Sequence, residues 1–300
     1  MSSFQNKNAP VYIIGDTPLA CLLAIKLSLS NQKVIKITSS KKDNEQYFFQ
    51  QGAHIHKQRI SIPCTFMMRE PAKLVFLCLD ESDKTDSLLH ISRAFTQSSP
   101  IVCFGASDIA ALTDTLKREI IPAYFDGWAK LNGDTLVYYG CQQGITLSLN
   151  EKTHFATAIR DILLIGGIKF SFSEDDTQNF WNHFIPYAAC SLFNKQNGQR
   201  FKELGKNLEL RQQMSVLINE LLRLSPESFA ADKDALLNMA YATPAKYSFP
   251  FADKDIRAQN RTLLFLLKVL QRSSAFSPQK CPVVFNLLKQ TVFTDTSPVE

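Results

Sequence analysis

The strongest constraint on the fold is a strand that turns abruptly into a helix near the start of the sequence. Residues 11–14 (VYII) are apolar and largely β-branched and are followed by Gly15, as in a strand buried on both faces of a parallel sheet. Thr17 is a helix-capping residue, Pro18 suits the first helical position, and leucines then recur at helical spacing. A second apolar run follows at 33–38 (KVIKIT). Together these elements predict one βαβ unit.

The same alternation continues through the first half of the chain. The pattern predicts strands at 73–79 and 100–105 and helices at 82–95 and 108–119. From 120 to 172 short extended runs (IIPAYF, DTLVYYG and GITLSL) precede a helix at 153–164 and a last run, IKFSF, and we interpret them as the far edge of the sheet. The fold class is therefore α/β, with a Rossmann-like, mostly parallel sheet.

Helical periodicity dominates from Thr177 onward. Helices are predicted at 177–194, 205–224, 232–241, 254–273 and 281–290. The sequence thus predicts two domains, a Rossmann-like dinucleotide-binding domain at 1–173 and an all-helical substrate or dimerisation domain at 174–300.

Charge and apolar runs narrow the classes of partner. The 33 basic and 28 acidic residues form no long block of one sign, which argues against nucleic-acid binding. No apolar run is long enough to span a bilayer and no secretory signal pattern is present, so we expect a cytoplasmic protein with no membrane partner. Seven cysteines without a C-x-x-C pair are typical of reduced core thiols. His54 and His56 lack a second cluster of ligands, so no metal is expected.

The turn after the first strand departs from the dinucleotide-binding pattern G-x-G-x-x-G/A. In this sequence the three glycine positions of the pattern are occupied by Gly15, Thr17 and Ala20. Thr17 brings a side chain to the place where the pyrophosphate approaches, although its hydroxyl can donate a hydrogen bond, and Pro18 removes an amide donor. Asp16 adds a like charge whose repulsion is about 3 kcal/mol at about 5 Å and an effective dielectric of about 20. We expect cofactor binding here to be weakened but not abolished.

The loop after the second strand indicates which dinucleotide would bind. Ser39, Ser40, Lys41 and Lys42 stand in place of the acidic residue that would hold a ribose 2′-hydroxyl. These side chains suit a 2′-phosphate, as NADPH requires. The alternative is an ordinary solvated loop.

Two longer stretches resemble the ketopantoate reductase family. Residues 180–198 (FWNHFIPYAACSLFNKQNG) resemble its helix W-x-K-L-x-x-N-x-x-x-N-x-L followed by N-G, and 255–290 resemble its final R-x-T-E-I-D segment, long helix, proline and short helix. The resemblance spans nearly the whole chain in order and spacing. It implies a Rossmann-like domain followed by a helical domain, NADPH as cofactor, and reduction of a 2-oxo acid such as 2-dehydropantoate in an interdomain cleft.

The positions that carry the family's chemistry are replaced in this sequence. The reactive lysine falls on His183, the two substrate-binding asparagines fall on Tyr187 and Ser191, and the glutamate falls on Gln259. A further lysine and asparagine of the family fall on Asp80 and near Ala106.

Two functions are the main candidates, and a third is a related dehydrogenase with a different substrate and a cofactor bound in an unusual pose. In the first, Gly15, Asp16, Thr17, Ser39 and Lys41 bind NADPH, and His183 donates the proton in 2-oxo acid reduction, with Tyr187, Ser191 and Gln259 as substrate contacts. The alternative for His183 is a histidine on a polar helix face. In the second, the chain is a catalytically inactive relative that serves as a small-ligand-binding or scaffold protein. Helical domains of this type often contribute to dimers, so a homodimer is a further expectation.

Overall fold

The structure, a computed structural model, describes residues 9–38, 43–52, 54–55, 58–78, 99–105, 109–198, 203–246, 263 and 266–294. Its contacts divide the chain into two compact units, with the division between Asp176 and Thr177.

The first unit is built on a sheet whose described strands are β1 (Val11–Ile14), β2 (Val34–Ile37), β3 (Asn44–Gln51), β4 (His54–Ile55), β5 (Ile60–Thr65), β6 (Leu74–Leu77), β7 (Ile101–Phe104), β8 (Ile121–Asn132), β9 (Thr135–Ser148) and β10 (Phe170–Ser173). Their order is β10-β9-β8-β7-β6-β1-β2-β5-β3-β4. The central strand β1 pairs in parallel with β2 on one side and with β6 on the other, and β7 extends the parallel part. These four strands confirm the sequence prediction: β1, β6 and β7 are short apolar runs buried along their whole length, and β2 is mostly buried and apolar except for Lys36.

The rest of the sheet differs from the expectation of short edge strands. The runs between 120 and 148 form one long antiparallel hairpin, β8–β9, that tolerates two register shifts near Gly127 and Trp128. The first half of β9 also pairs in parallel with β3. The strands that lie between β9 and β3 in the sheet order therefore form a closed ring with them. β3, β4 and β5 were not predicted from the pattern of the sequence. The sheet is nonetheless mostly parallel, and the α/β fold class is confirmed.

Three described helices pack on this sheet: α1 (Pro18–Leu29), α2 (Ile109–Leu116) and α3 (His154–Ile165). α1 is buried on nearly all sides, and its residues 20–25 together with Leu27 are at most 2% exposed. It contacts the centre of the sheet, the β8–β9 hairpin and α3. α2 covers the opposite face through Leu112 and Leu116. The predicted helix at 82–95 lies outside the described residues.

The second unit is helical in its described part. The helices are α4 (Asp176–Asn197), α5 (Leu208–Leu224), α6 (Lys233–Lys246) and α7 (Pro282–Thr294), and residues 266–270 are also helical. α5 packs against α6 and α7. The periodicity predicted each of these helices to within a few residues, except that most of the 254–273 prediction falls outside the described residues. Among the helices of the described ranges, none combines the length and apolarity needed to cross a membrane.

Candidate functional site

The turn between β1 and α1 lies where a nucleotide site is expected in an open α/β sheet. β2 and β6 flank β1 on opposite sides, so the carboxyl end of β1 is a topological switch point, where such sheets leave a crevice for ligands. Gly15 has a φ of 121°, which glycine adopts without the strain that a Cβ would bring. Its N–H donates to the carbonyl of Ile37 at 3.3 Å, which ties the turn to the end of β2.

Thr17 connects the start of α1 to the end of β6. It is the N-cap of the helix, and its hydroxyl accepts a hydrogen bond from the N–H of Ala20 at 3.2 Å. The same hydroxyl donates to the carbonyl of Cys78 at 3.1 Å. Because a hydroxyl has a single proton, Thr17 in this geometry has none to give to a phosphate. The Thr17 hydroxyl proton, which the sequence left available for a phosphate, is therefore already used in a hydrogen bond within the fold.

The first turn of α1 consequently offers few amide donors. Pro18 occupies the first helical position and has no N–H, and the N–H of Ala20 is bound by Thr17. Of the first three helical positions, only Leu19 has a backbone N–H that is not bound by the N-cap residue. An anion at this helix terminus would have fewer partners than the glycine-rich turn provides.

Asp16 points to the opposite side of the switch point, toward β2. Its Oδ1 accepts a hydrogen bond from Nζ of Lys36 at 2.7 Å, and its Oδ2 accepts one from the hydroxyl of Thr38 at 3.2 Å. Its side chain remains 55% exposed. Asp16 was predicted from the sequence to act as an isolated repulsive charge, but the structure places it in an ion pair.

Lys36 is the centre of a buried polar network that the sequence analysis did not anticipate. Its side chain is 2% exposed, and Nζ also lies 2.7 Å from Oε2 of Glu45 on β3. The Tyr47 hydroxyl donates to the same Glu45 oxygen and accepts from the Cys21 thiol at 3.3 Å. Burial opposes the charge on Lys36, yet Cys21 and hydrogen bonds with the two carboxylates raise its pKa above the ordinary value. The network thus holds a charged lysine beneath the turn.

One signal for this network was present in the sequence. Lys36 interrupts the apolar run 33–38, and a charge within a strand buried on both faces requires a partner. The partner could not be assigned because β3, which carries Glu45 and Tyr47, was not predicted.

The remaining candidate residues of the described chain lie along α4 in the second unit. The His183 residue is partly exposed, and desolvation of its imidazole ring by the surrounding protein lowers its pKa to about 4. Tyr187 is also partly exposed, whereas Ser191 is 3% exposed. The Ser191 hydroxyl donates to the carbonyl of Tyr187 at 2.8 Å, one helical turn earlier. Pro186 lies inside the helix, which continues past it to Asn197.

Several candidates cannot be placed. Ser39, Lys41 and Gln259 lie outside the described residues, as do Asp80 and Ala106. Among the residues that are described, no group of three or more histidine, cysteine or acidic side chains is arranged to hold a metal ion. His54 is exposed on β4.

The sequence matches no protein-family model. No curated protein matches it either.

Solved structures of similar fold cover nearly the whole chain. The dimeric ketopantoate reductase of Staphylococcus aureus superimposes with a TM-score of 0.74 at 12% identity, covering 95% of this chain and 99% of that one. A ketopantoate reductase from Ralstonia eutropha gives 0.73 at 14% identity, covering 96% of this chain and 100% of the other. D-mandelate dehydrogenase, solved with NADH and anilino(oxo)acetate, gives 0.72 at 14% identity and covers 95% and 99%.

These likenesses agree with the order of elements described above, a Rossmann-like sheet with a switch point at β1 followed by helices. The resemblance stated from the sequence is thus confirmed at the level of the fold. The chain is built on the fold of the ketopantoate reductases.

Proposed function

We propose that the chain is a nicotinamide-dependent oxidoreductase that reduces a small 2-oxo acid. The observation that carries the proposal is the fold, which matches reductases over 95% or more of this chain, among them a dehydrogenase solved with NADH and an oxo acid. The β1–α1 turn supports it, because Gly15 and the switch point preserve the shape of a dinucleotide site. By analogy with the resemblance, 2-dehydropantoate is one candidate substrate.

The described residues fit a dinucleotide with fewer phosphate contacts than usual. Gly15 supplies the tight bend, and Asp16 and Thr38 present polar groups at the end of β2. Pro18 has no N–H and the Ala20 N–H is bound to Thr17, so the pyrophosphate would be held less tightly. A bound reduced nicotinamide would supply the hydride. NADPH remains the cofactor expected from Ser39 and Lys41.

His183 would deliver the proton that the carbonyl oxygen needs once hydride has reached the carbon. With a pKa of about 4 it is neutral at pH 7 in the unliganded chain. An anionic 2-oxo acid beside the ring would raise the pKa of His183, because an opposite charge favours the imidazolium. Substrate binding would thereby load the proton donor. Tyr187, Ser191 and Gln259 are the proposed substrate contacts.

Titration with NADH and NADPH, followed by nicotinamide fluorescence, tests the proposal. Saturation by either dinucleotide below about 1 mM, the weak end of typical enzyme affinities, supports it, and the absence of binding by both refutes it. Thr17→Gly releases the Ala20 amide and the space near the phosphate, so we expect at least tenfold tighter binding. Thr153→Gly is a matched control, since Thr153 caps α3 with the same pair of bonds, from Ala156 N–H and to the Asn150 carbonyl. Equal effects of the two variants would contradict the role given to Thr17.

Turnover of 2-dehydropantoate and other 2-oxo acids then tests His183. His183→Ala should lower kcat at least a hundredfold if the imidazole donates the proton. His54→Ala serves as the control because His54 is an exposed histidine in the other unit. A His183→Ala rate equal to the wild-type rate would remove His183 from the mechanism.

A second candidate, a catalytically inactive relative that binds a small ligand, is favoured by one observation. Thr17 forms hydrogen bonds with both the Ala20 amide and the Cys78 carbonyl, so these groups are already paired within the fold. This candidate predicts that neither dinucleotide binds to the wild-type chain or to Thr17→Gly.

A further inference from the structure

Asp16 places a carboxylate at the end of β2, where the strand itself has no acidic residue. In dinucleotide-binding folds that take NAD, an acidic residue at the end of the second strand accepts hydrogen bonds from the ribose hydroxyls. The residues at the end of β2 here are Ile37 and Thr38, which are not acidic. The carboxylate of Asp16 reaches this end from the β1–α1 turn and lies 3.2 Å from the Thr38 hydroxyl.

The carboxylate of Asp16 is fixed and still accessible. One oxygen is held by Lys36 and the other by Thr38. Each carboxylate oxygen has two lone pairs, so each retains acceptor capacity beyond these bonds. The 55% exposure of the side chain leaves that capacity open to a ligand. A pair of ribose hydroxyls is a chemical match for two such acceptors.

Among the described residues, the charges around Asp16 do not suit a phosphate. Within the described ranges Lys36 is the cation that contacts Asp16, but its side chain is 2% exposed and its ammonium is paired with Asp16 and Glu45. Two carboxylates and one ammonium leave this group with a net charge of −1. A 2′-phosphate at the end of β2 would therefore meet an exposed carboxylate and no exposed lysine of the network.

We propose that Asp16 recognises the adenosine ribose through its free 2′-hydroxyl, and that the chain therefore prefers NADH to NADPH. This inference rests on the proposed function and opposes the NADPH expectation drawn from Ser39 and Lys41. It makes Asp16 the specificity-determining residue of the site, with Lys36 and Thr38 as the residues that position it.

The test is a comparison of dissociation constants for NADH and NADPH on the full-length chain. The wild type should bind NADH at least tenfold more tightly. Asp16→Asn removes the negative charge and keeps the shape, so it should bring the two constants to within about threefold by strengthening NADPH binding. Glu70→Gln is the control. Glu70 is a surface carboxylate paired with Lys33, which directly precedes β2 at the end of the strand opposite to Thr38.

The possible results separate this inference from the proposed function. Equal or tighter binding of NADPH by the wild type would overturn the inference and leave the oxidoreductase proposal standing. A preference for NADH that survives Asp16→Asn would overturn the role of Asp16. Failure of both dinucleotides to bind would overturn both proposals. Adenosine 5′-monophosphate and adenosine 2′,5′-bisphosphate, measured as competitors, should show the same order of affinity as the two full cofactors.

Discussion

Replacing Lys36 with methionine is the sharpest perturbation of the network beneath the turn. Methionine has nearly the length of the lysine stem and introduces no new polar group. The substitution removes the ammonium that lies 2.7 Å from both Asp16 and Glu45. The two carboxylates differ in what they lose, because Asp16 is 55% exposed and Glu45 only 17%.

The expected loss follows from those exposures. Breaking a buried ion pair costs about 3–5 kcal/mol, since the remaining charge stays in a poor solvent. Asp16 can recover hydration when its partner leaves, so most of the penalty falls on Glu45, and the lower end of the range applies. We expect Lys36→Met to destabilise the first unit by about 3 kcal/mol. Adding Glu45→Gln removes the stranded charge and should restore about 1–2 kcal/mol.

Lys33→Met is the matched control. Lys33 pairs with Glu70 at 2.6 Å, a contact as short as those of Lys36, but the two side chains are 49% and 42% exposed. An exposed pair of this kind contributes about 0–1 kcal/mol.

The assay must report on the first unit alone, because the chain has two units and a single unfolding free energy is not defined for it. Hydrogen exchange of peptides from β1 and β2, measured by mass spectrometry over a urea series, meets this requirement. Equal losses for Lys36→Met and Lys33→Met, or no recovery on adding Glu45→Gln, would refute the reasoning.

Three further predictions concern other parts of the described chain. Glu220 is 4% exposed and accepts hydrogen bonds from the N–H groups of Val283 and Val284 at the start of α7, so Glu220→Ala should cost about 2–3 kcal/mol in urea unfolding of the second unit, whereas Glu209→Ala on the exposed first turn of α5 should cost less than about 0.5 kcal/mol. An NMR titration should give His183 a pKa of about 4, and a midpoint near 6.5 would contradict the desolvation of its ring. Because the pKa of His183 is lower in the folded chain, the unfolded chain binds more protons between pH 6.5 and 4. The contribution of His183 to folding stability is therefore present above pH 6.5 and is lost as the pH falls. His183→Gln should reduce the acid destabilisation by about 2–3 kcal/mol, and His54→Gln should not.

The parts of the fold that the sequence predicted are those whose burial is uniform. β1, β6 and β7 are four-residue runs in which every residue is buried, so a continuous apolar stretch identifies them directly. The helices of the second unit were predicted for a related reason, since each has a repeating apolar face. The local pattern of apolar residues is sufficient to predict such elements, because the layer packed against each element determines which of its residues are apolar.

β3 could not be predicted because its character is set by distant partners. Its sequence, NEQYFFQQ, is mostly polar, and it becomes a strand by pairing with β5 on one side and with β9, more than eighty residues later, on the other. The β8–β9 hairpin was divided into short pieces for a different reason. Pro122, Gly127 and Gly140 interrupt the pattern, and the two register shifts between the strands fall next to Gly127 and Gly140.

The candidate site shows the same limit at the level of single side chains. The sequence located the turn and indicated that Asp16 and Thr17 alter it, but gave each a role through its own chemistry alone. In the structure each side chain is defined by the strand it reaches, Thr17 by Cys78 after β6 and Asp16 by Lys36 on β2.

The two side chains therefore act on different parts of a dinucleotide. Thr17 occupies the amide that the pyrophosphate would use, and its effect should be the same for NADH and NADPH because both carry that group. Asp16 lies at the end of β2, where the two cofactors differ, and its effect should depend on which one is bound. Thr17→Gly should consequently leave the NADH-to-NADPH ratio unchanged, whereas Asp16→Asn should change it, and a double-mutant cycle measures any coupling between these neighbouring residues. A change in the ratio on Thr17→Gly alone would show that the turn moves as one piece and that the separate roles are wrong.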